Sequence, residues 1–212
     1  MPLYRKVMFG DGMVLTIWKI EEAESELLPL LSLDTNELRE LESIRAPQSR
    51  LRWMASRLAL KSVFDEWKPI DIQKDIHGKP FFGMLDGHFS LSHSGEFATC
   101  LYHPEKQVGL DIEFIKSKVM NISRKFMKDE ELSCIPEENK IESLYVCWCA
   151  KEAIYKWQGK RGLSMRDKIT IHPFTYATKG TLTADLNNGE TQILNVYFEK
   201  IEGYMLAYVC NE

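Results

Sequence analysis

Between residues 141 and 158 apolar side chains return every three or four positions, at Ile141, Leu144, Tyr145, Trp148 and Tyr155, the signature of a helix with one buried stripe. Glu152 falls on that stripe, with Lys156 one turn further on. Upstream the pattern changes repeatedly. "MVLTIWKI" (13–20) is rich in β-branched residues and predicts a first strand. "DTNE" (34–37) is a capping-box signature that starts a short helix ending near Ser43. Pro47 suits the first turn of a longer helix, "PQSRLRWMASRLALKSVFDEW", with Leu51, Met54, Leu58 and Val63 inward.

Beyond Trp67 the helical period disappears. "PIDIQKDIHGKPFF" and "GHFSLSHSGEFATCLYH" read as short strands separated by Gly and Pro turns. "KQVGLDIEFIK" (106–116) alternates cleanly and predicts a strand. Two helices follow, over about 121–133 and 141–158, and from Lys168 the chain returns to strands, ending in the apolar "YMLAYVC" (204–210). This order predicts an α+β fold in two closely packed halves, residues 1–104 and 105–212.

Composition narrows the picture without deciding it. The chain has 212 residues, 44% hydrophobic and 27% charged, with a net charge of −4 that argues against a general nucleic-acid binder. No apolar run reaches transmembrane length, and the first residues lack a secretory leader, so no membrane partner and a cytoplasmic location are expected. The five cysteines have no metal-site spacing, and Cys147 and Cys149 point apart on a helix; small buried thiols are expected.

Chemistry concentrates in a few places. In "VGLDIEF" alternate residues share a face, so Val108, Leu110, Ile112 and Phe114 are expected toward a core. Asp111 and Glu113 then share the other face with Gly109, roughly 7 Å apart. Like charges so placed need either free water or a cation. A third carboxylate, Glu152, on an apolar stripe is costly unless paired or metal-bound. The three together make a hard-oxygen set of the kind Mg²⁺ uses, with Lys156 in reach; edge-strand carboxylates and a surface Glu–Lys pair are the plain alternatives. In "HFSLSHSGEF", His93 cannot activate Ser92 or Ser94, its neighbours on a strand, whereas hydroxyls and an imidazole near a glycine turn suit phosphate. Arg50, Arg57 and Lys61 share one side of their helix and Arg52 stands apart, which reads as a solvated face or an anion site.

"GKPFF", "FSLSHSG", "VGLDIE", "WCAKEAIYK" and "GKRGLS", in that order and spacing between about Arg50 and Ser164, resemble the motifs of 4′-phosphopantetheinyl transferases of the surfactin-synthetase-activating type. The joint occurrence of the strand and helix motifs carries most of the resemblance. It implies two similar α/β halves related by a pseudo-twofold, with the active site in the cleft between them. It implies transfer of the phosphopantetheine arm of coenzyme A to a serine of an apo acyl or peptidyl carrier protein, releasing adenosine 3′,5′-bisphosphate, by a monomer. Asp111, Glu113 and Glu152 correspond to ligands of Mg²⁺ (or Mn²⁺) and Lys156 to the lysine that steadies the transferring phosphate. Glu130 corresponds to the general base toward the carrier serine, with Asp129 and Glu131 beside it. Arg52, Lys79, Ser92, His93, Lys151 and Lys156 correspond to coenzyme A contacts, Arg50 competing with Arg52 for the 3′-phosphate. Carriers are acidic around their serine, so the basic stretch "KSKVMNISRKFMK" (116–128) is expected to dock them. Cys149 stands where Ser or Thr is common, and "GKRGLS" is one residue longer than usual; neither touches a metal ligand. A non-catalytic carrier or coenzyme A binder and a metal-dependent phosphohydrolase are the competing readings.

Overall fold

The structure is a computed structural model and describes residues 3–64 and 70–210. The chain divides into two compact units, Met1–Asp75 with Pro80–Glu105, and Ile76–Lys79 with Lys106–Glu212.

The first unit begins with β1 (Leu3–Met8) and β2 (Val14–Lys19), followed by α1 (Glu24–Leu27) and a 3₁₀ turn at Leu28–Leu30. Two helices come next, α2 (Thr35–Ser43) and α3 (Pro47–Lys61), then β3 (Ile72–Lys74), β4 (Pro80–Phe82), β5 (His88–Ser94) and β6 (Phe97–His103). Its main sheet is antiparallel in the order β1-β2-β6-β5, and β3 pairs with β4 alone. The first strand is β1, not the segment beginning at Met13. As an edge strand carrying Arg5 and Lys6 it has no fully buried residue, and so lacks the contrast that reveals a strand in sequence.

Helix α2 starts where the capping box places it: Asp34 accepts the amides of Asn36 and Glu37, and Glu37 accepts that of Asp34. Helix α3 ends at Lys61, short of the expected Trp67, which lies outside the described residues. It covers one face of the sheet, where Val14, Trp18, Ala98 and Cys100 meet Met54, Ala55, Leu58 and Ala59. Thr16 on that face donates to the carbonyl of Ala59 at 2.6 Å.

Arg50, Arg57 and Lys61 of α3 form neither a solvated face nor an anion site. Arg50 is held by Glu24 at 2.5 Å and by the carbonyl of Leu41. Arg57 lies 3.7 Å over the ring of Trp53 and reaches Glu40. Lys61 is buried and donates to the carbonyl of Leu31. These bonds fasten residues 24–43 onto α3.

The second unit opens with β7 (Val108–Phe114), α4 (Val119–Phe126) and α5 (Asp129–Ser133). It continues through the 19-residue α6 (Lys140–Gln158), α7 (Met165–Lys168), β8 (Ile169–Ile171), β9 (Lys179–Asn188), β10 (Glu190–Ile201) and β11 (Tyr204–Cys210). The sheet is antiparallel in the order β7-β11-β10-β9-β8. The single helix expected over 121–133 is two. Met127 and Lys128 are extended between α4 and α5, and Glu131 accepts the amide of Lys128 at 2.9 Å to start the second. A capping glutamate thus sets a break that hydrophobic periodicity does not show.

Helix α6 buries Leu144, Val146, Cys147, Ala150, Ala153 and Ile154 against Val196, Phe198, Met205, Ala207 and Val209. In the β7–β11 register Gly109, Asp111 and Glu113 stand opposite Val209, Ala207 and Met205, so they share the face that α6 covers. Val108, Leu110 and Ile112 are buried as expected and the carboxylates lie under the helix that carries Glu152; only Phe114, 38% exposed, departs from the expected core face. Gly109 is required by the close approach, since a Cβ there would stand 2.0 Å from the carbonyl oxygen of Ala153 and 2.6 Å from the amide of Trp157. Among the described residues no helix is long and apolar enough to cross a membrane.

Candidate active site

The face of α6 turned to β7 carries Tyr145, Cys149, Glu152 and Lys156, spaced four, three and four residues apart. Asp111 is 5% exposed, and the ammonium of Lys156 stands 2.8 Å from its Oδ1. Glu152 is half-buried. Burial, then the negative charges of Asp111 and Glu113, push its carboxyl up to about 7, against the pull of Lys156. The same two carboxylates, after burial, raise the Cys149 thiol, whose sulfur donates to the carbonyl of Met205 at 3.4 Å. Tyr145 is raised by burial first and by Glu113 after it. So β7 and α6 bring Asp111, Glu113, Glu152 and Lys156 into one charged patch at the rim of the core.

The arrangement is negative, oxygen-rich and partly desolvated, which suits a hard divalent cation in kind. Among the described residues, no three His, Cys, Asp or Glu side chains converge closely enough to hold an ion as they stand. Lys156 supplies the positive charge on Asp111 instead.

The other site residues are placed less uniformly. Lys79 donates to the carbonyl of Trp157 at 2.9 Å and caps the end of α6, beside Gly159 in the left-handed conformation at φ 77°. Arg161, from the "GKRGLS" loop, rests against Gly78, so residues 76–79 are fastened to the end of this helix. Lys151 is not a coenzyme A contact. It is 0% exposed, paired with Glu131 at 2.8 Å and bonded to the carbonyls of Phe126 and Ile169. Sequence reasoning missed this pair; its signal is that Lys151 shares a helix face with the buried Leu144, Cys147 and Ile154. Glu131, buried here, also leaves the set of general-base candidates, and Asp129 lies 3.8 Å from Arg124. Glu130 is exposed on α5.

In the first unit Arg52 donates to the carbonyl of Gly95 at 3.2 Å, tying α3 to the β5–β6 turn. His93, opposite Ala98, is on the sheet face that α3 covers and is exposed at its end. Ser92, opposite Thr99, carries its side chain on the other face. Arg50 is paired with Glu24 through both carboxylate oxygens. The cysteines are all free; Cys100, Cys147 and Cys149 are buried as expected, whereas Cys134 is exposed and Cys210 half-buried.

On the basic stretch Lys116, Lys118, Arg124 and Lys125 are exposed, as is Met120 at 46%, and the Lys116 ammonium lies 5.1 Å over the Phe114 ring. Lys128 differs, half-buried with its ammonium 3.4 Å from Thr170 Oγ1.

Comparison with known proteins shows what this region is similar to. Residues 107–209 match the family model of the 4′-phosphopantetheinyl transferase superfamily. The 4′-phosphopantetheinyl transferase HetI of Nostoc sp. (strain PCC 7120) is 28% identical over 172 residues, covering 73% of this chain and 72% of HetI. The 4′-phosphopantetheinyl transferase Sfp of Bacillus subtilis (strain 168) is 36% identical over 139 residues, 63% of this chain and 59% of Sfp. AcpT of Escherichia coli (strain K12), also named a 4′-phosphopantetheinyl transferase, is 31% identical over 123 residues, 54% of this chain and 62% of AcpT. The chain therefore spans about three fifths of the lengths of Sfp and AcpT. Similarity reaches relatives with three different names, so the superfamily is the level at which the relation holds. With its matched region containing β7, α6 and the charged patch between them, the chain is related to the 4′-phosphopantetheinyl transferase superfamily.

Proposed function

We propose that the protein is an Mg²⁺-dependent transferase that moves the 4′-phosphopantetheine group of coenzyme A onto a serine of an apo carrier protein. The observation that carries this reading is that α6 brings Glu152 and Lys156 against Asp111 of β7, in the region that matches the superfamily. A non-catalytic binder has no use for a half-buried carboxyl raised to about 7 by burial and, after it, by two neighbouring carboxylates.

Asp111, Glu113 and Glu152 would hold the divalent cation. When bound, it neutralises charge on the pyrophosphate and makes the bisphosphate a better leaving group. The chain's own residues do the rest. Lys156, on the same patch, binds a phosphate oxygen and stabilises the charge that grows there as the phosphorus–oxygen bond to the leaving nucleotide breaks. Glu130, on the exposed side of α5, accepts the proton of the carrier serine as its oxygen bonds to phosphorus. Arg52 and His93, on the first unit, supply a cation and an imidazole for the 3′-phosphate. The exposed Phe114 and Met120, with the exposed Lys116, Lys118, Arg124 and Lys125 on the same stretch, suit an acidic carrier helix with an apolar stripe.

The test is to mix the protein with Mg²⁺, coenzyme A and a panel of apo carriers and to weigh the carriers by mass spectrometry. A gain of the phosphopantetheine mass on at least one carrier supports the reading. No gain on any, or release of phosphate without an acceptor, overturns it.

A further inference from the structure

The second unit hides one charged pair away from the carboxylate patch. Lys151 and Glu131 are 0% and 6% exposed, with the ammonium 2.8 Å from Oε1. Such a pair contributes little stability on balance, because desolvating both ions offsets their attraction. What it contributes here is position. The ammonium also donates to Phe126 O at 2.8 Å, where α4 ends, and to Ile169 O at 2.7 Å, where β8 begins. Glu131 accepts the amide of Lys128 at 2.9 Å, where α5 begins, and that of Ile171 at 2.8 Å, in β8. One ion pair therefore fixes the break between α4 and α5, the start of β8 and the middle of α6. An apolar pair of equal volume could fill the space but could not bond those backbone groups.

Each member is also the chain neighbour of a residue given chemistry above: Glu131 follows Glu130, and Lys151 precedes Glu152. We propose that Glu131 and Lys151 are positioning residues that lock α5 to α6 and so hold Glu130 at a fixed offset from Glu152. This inference rests on the reading of Glu130 as the base. Neither member touches substrate; both act through the helices they join.

The test is a double-mutant cycle in the carrier-loading assay, using Glu130→Ala, Glu131→Gln and the two combined. A glutamine keeps the size of Glu131 but cannot accept both amides while facing an ammonium. Glu131→Gln should lower kcat by about tenfold to a hundredfold, the scale of a sub-ångström to 1 Å misplacement. KM for coenzyme A should stay within about twofold, since uniform binding is untouched. In the Glu130→Ala background the second change should cost nothing further, because the group it positions is gone. If the losses multiply instead, with wild type active, Glu131 is only structural and the inference fails alone. If Glu130→Ala is as active as wild type, the inference fails with the assignment of the base. If wild type loads no carrier, the proposed function fails and takes the inference with it. Should Glu131→Gln not fold, Glu131→Gln with Lys151→Met, which removes both charges, is put through the same cycle with the same expected outcome.

Discussion

The ammonium of Lys156 stands 2.8 Å from Asp111 Oδ1, joining the last turns of α6 to the middle of β7. The two residues are distant in sequence, and each belongs to a separate motif. In the structure they are one unit: a lysine parked on a buried carboxylate and available to a phosphate.

Removing that ammonium tests its part in the chemistry. Lys156→Met should lower kcat in carrier loading by about a hundredfold, the scale of losing one charge-stabilising donor. Steady-state kinetics with coenzyme A and an apo carrier gives the number. A rate equal to wild type would mean that Lys156 serves only to neutralise Asp111.

The raised carboxyl of Glu152 makes a prediction for protein stripped of metal by EDTA. Its folded-state value, about 7, lies above the 4.5 of an unperturbed glutamate, so between these pH values the folded chain holds the proton that the unfolded chain releases. This group's contribution is complete below about pH 4.5 and is lost as pH rises through 7. Wild type should lose stability relative to Glu152→Gln over that window, by on the order of 2 kcal/mol after allowing for solvent screening. Thermal unfolding at pH 5 and 7.5 measures it. Added Mg²⁺ should reverse the trend in wild type and leave Glu152→Gln unaffected, and EDTA should abolish carrier loading.

Gly109→Ala would drive a methyl group into the backbone of α6, 2.0 Å from Ala153 O. Backbone cannot swing aside as a side chain can, so the helix must shift. A destabilisation of about 1–3 kcal/mol is expected, typical of overpacking. Because α6 carries Glu152 and Lys156, carrier loading should fall further than the loss of folded protein explains. Chemical denaturation beside specific activity separates the two effects.

Charge reversal on the exposed rim should act on one substrate only. Lys116→Glu with Arg124→Glu is expected to raise KM for an acidic apo carrier about tenfold or more, and to weaken the salt dependence of loading. KM for coenzyme A should not change. Lys128→Glu is expected to disturb folding rather than docking, because that ammonium is partly buried near Thr170.

Where each residue had a strong local signal, the sequence was legible. Asp34 and Glu37 declared α2, and the clean alternation of 108–114 declared β7, because both signals act over a few residues. Glu152 was legible as an oddity, since a carboxylate on an apolar stripe needs a partner. What alternation could not show is the burial of Gly109 and Asp111 beside Val108, Leu110 and Ile112, which comes from α6 lying over them. The Glu131–Lys151 pair was equally opaque, for its partners are backbone carbonyls and amides brought together only by folding. Likewise the bases of α3 have partners from Glu24 to Glu40 that no spacing rule on the helix could supply.

The clasp on residues 76–79 bears on where this protein can be divided. In sequence, a cut near residue 105 leaves two contiguous halves. In space, Lys79 and Gly78 belong with the end of α6, through Trp157 O and Arg161. A second half made alone would thus begin life without its own helix cap, while the first would carry a loop shaped for a missing host. Gene fusions, permutations or splits of this chain will work best when that four-residue strap travels with the later part.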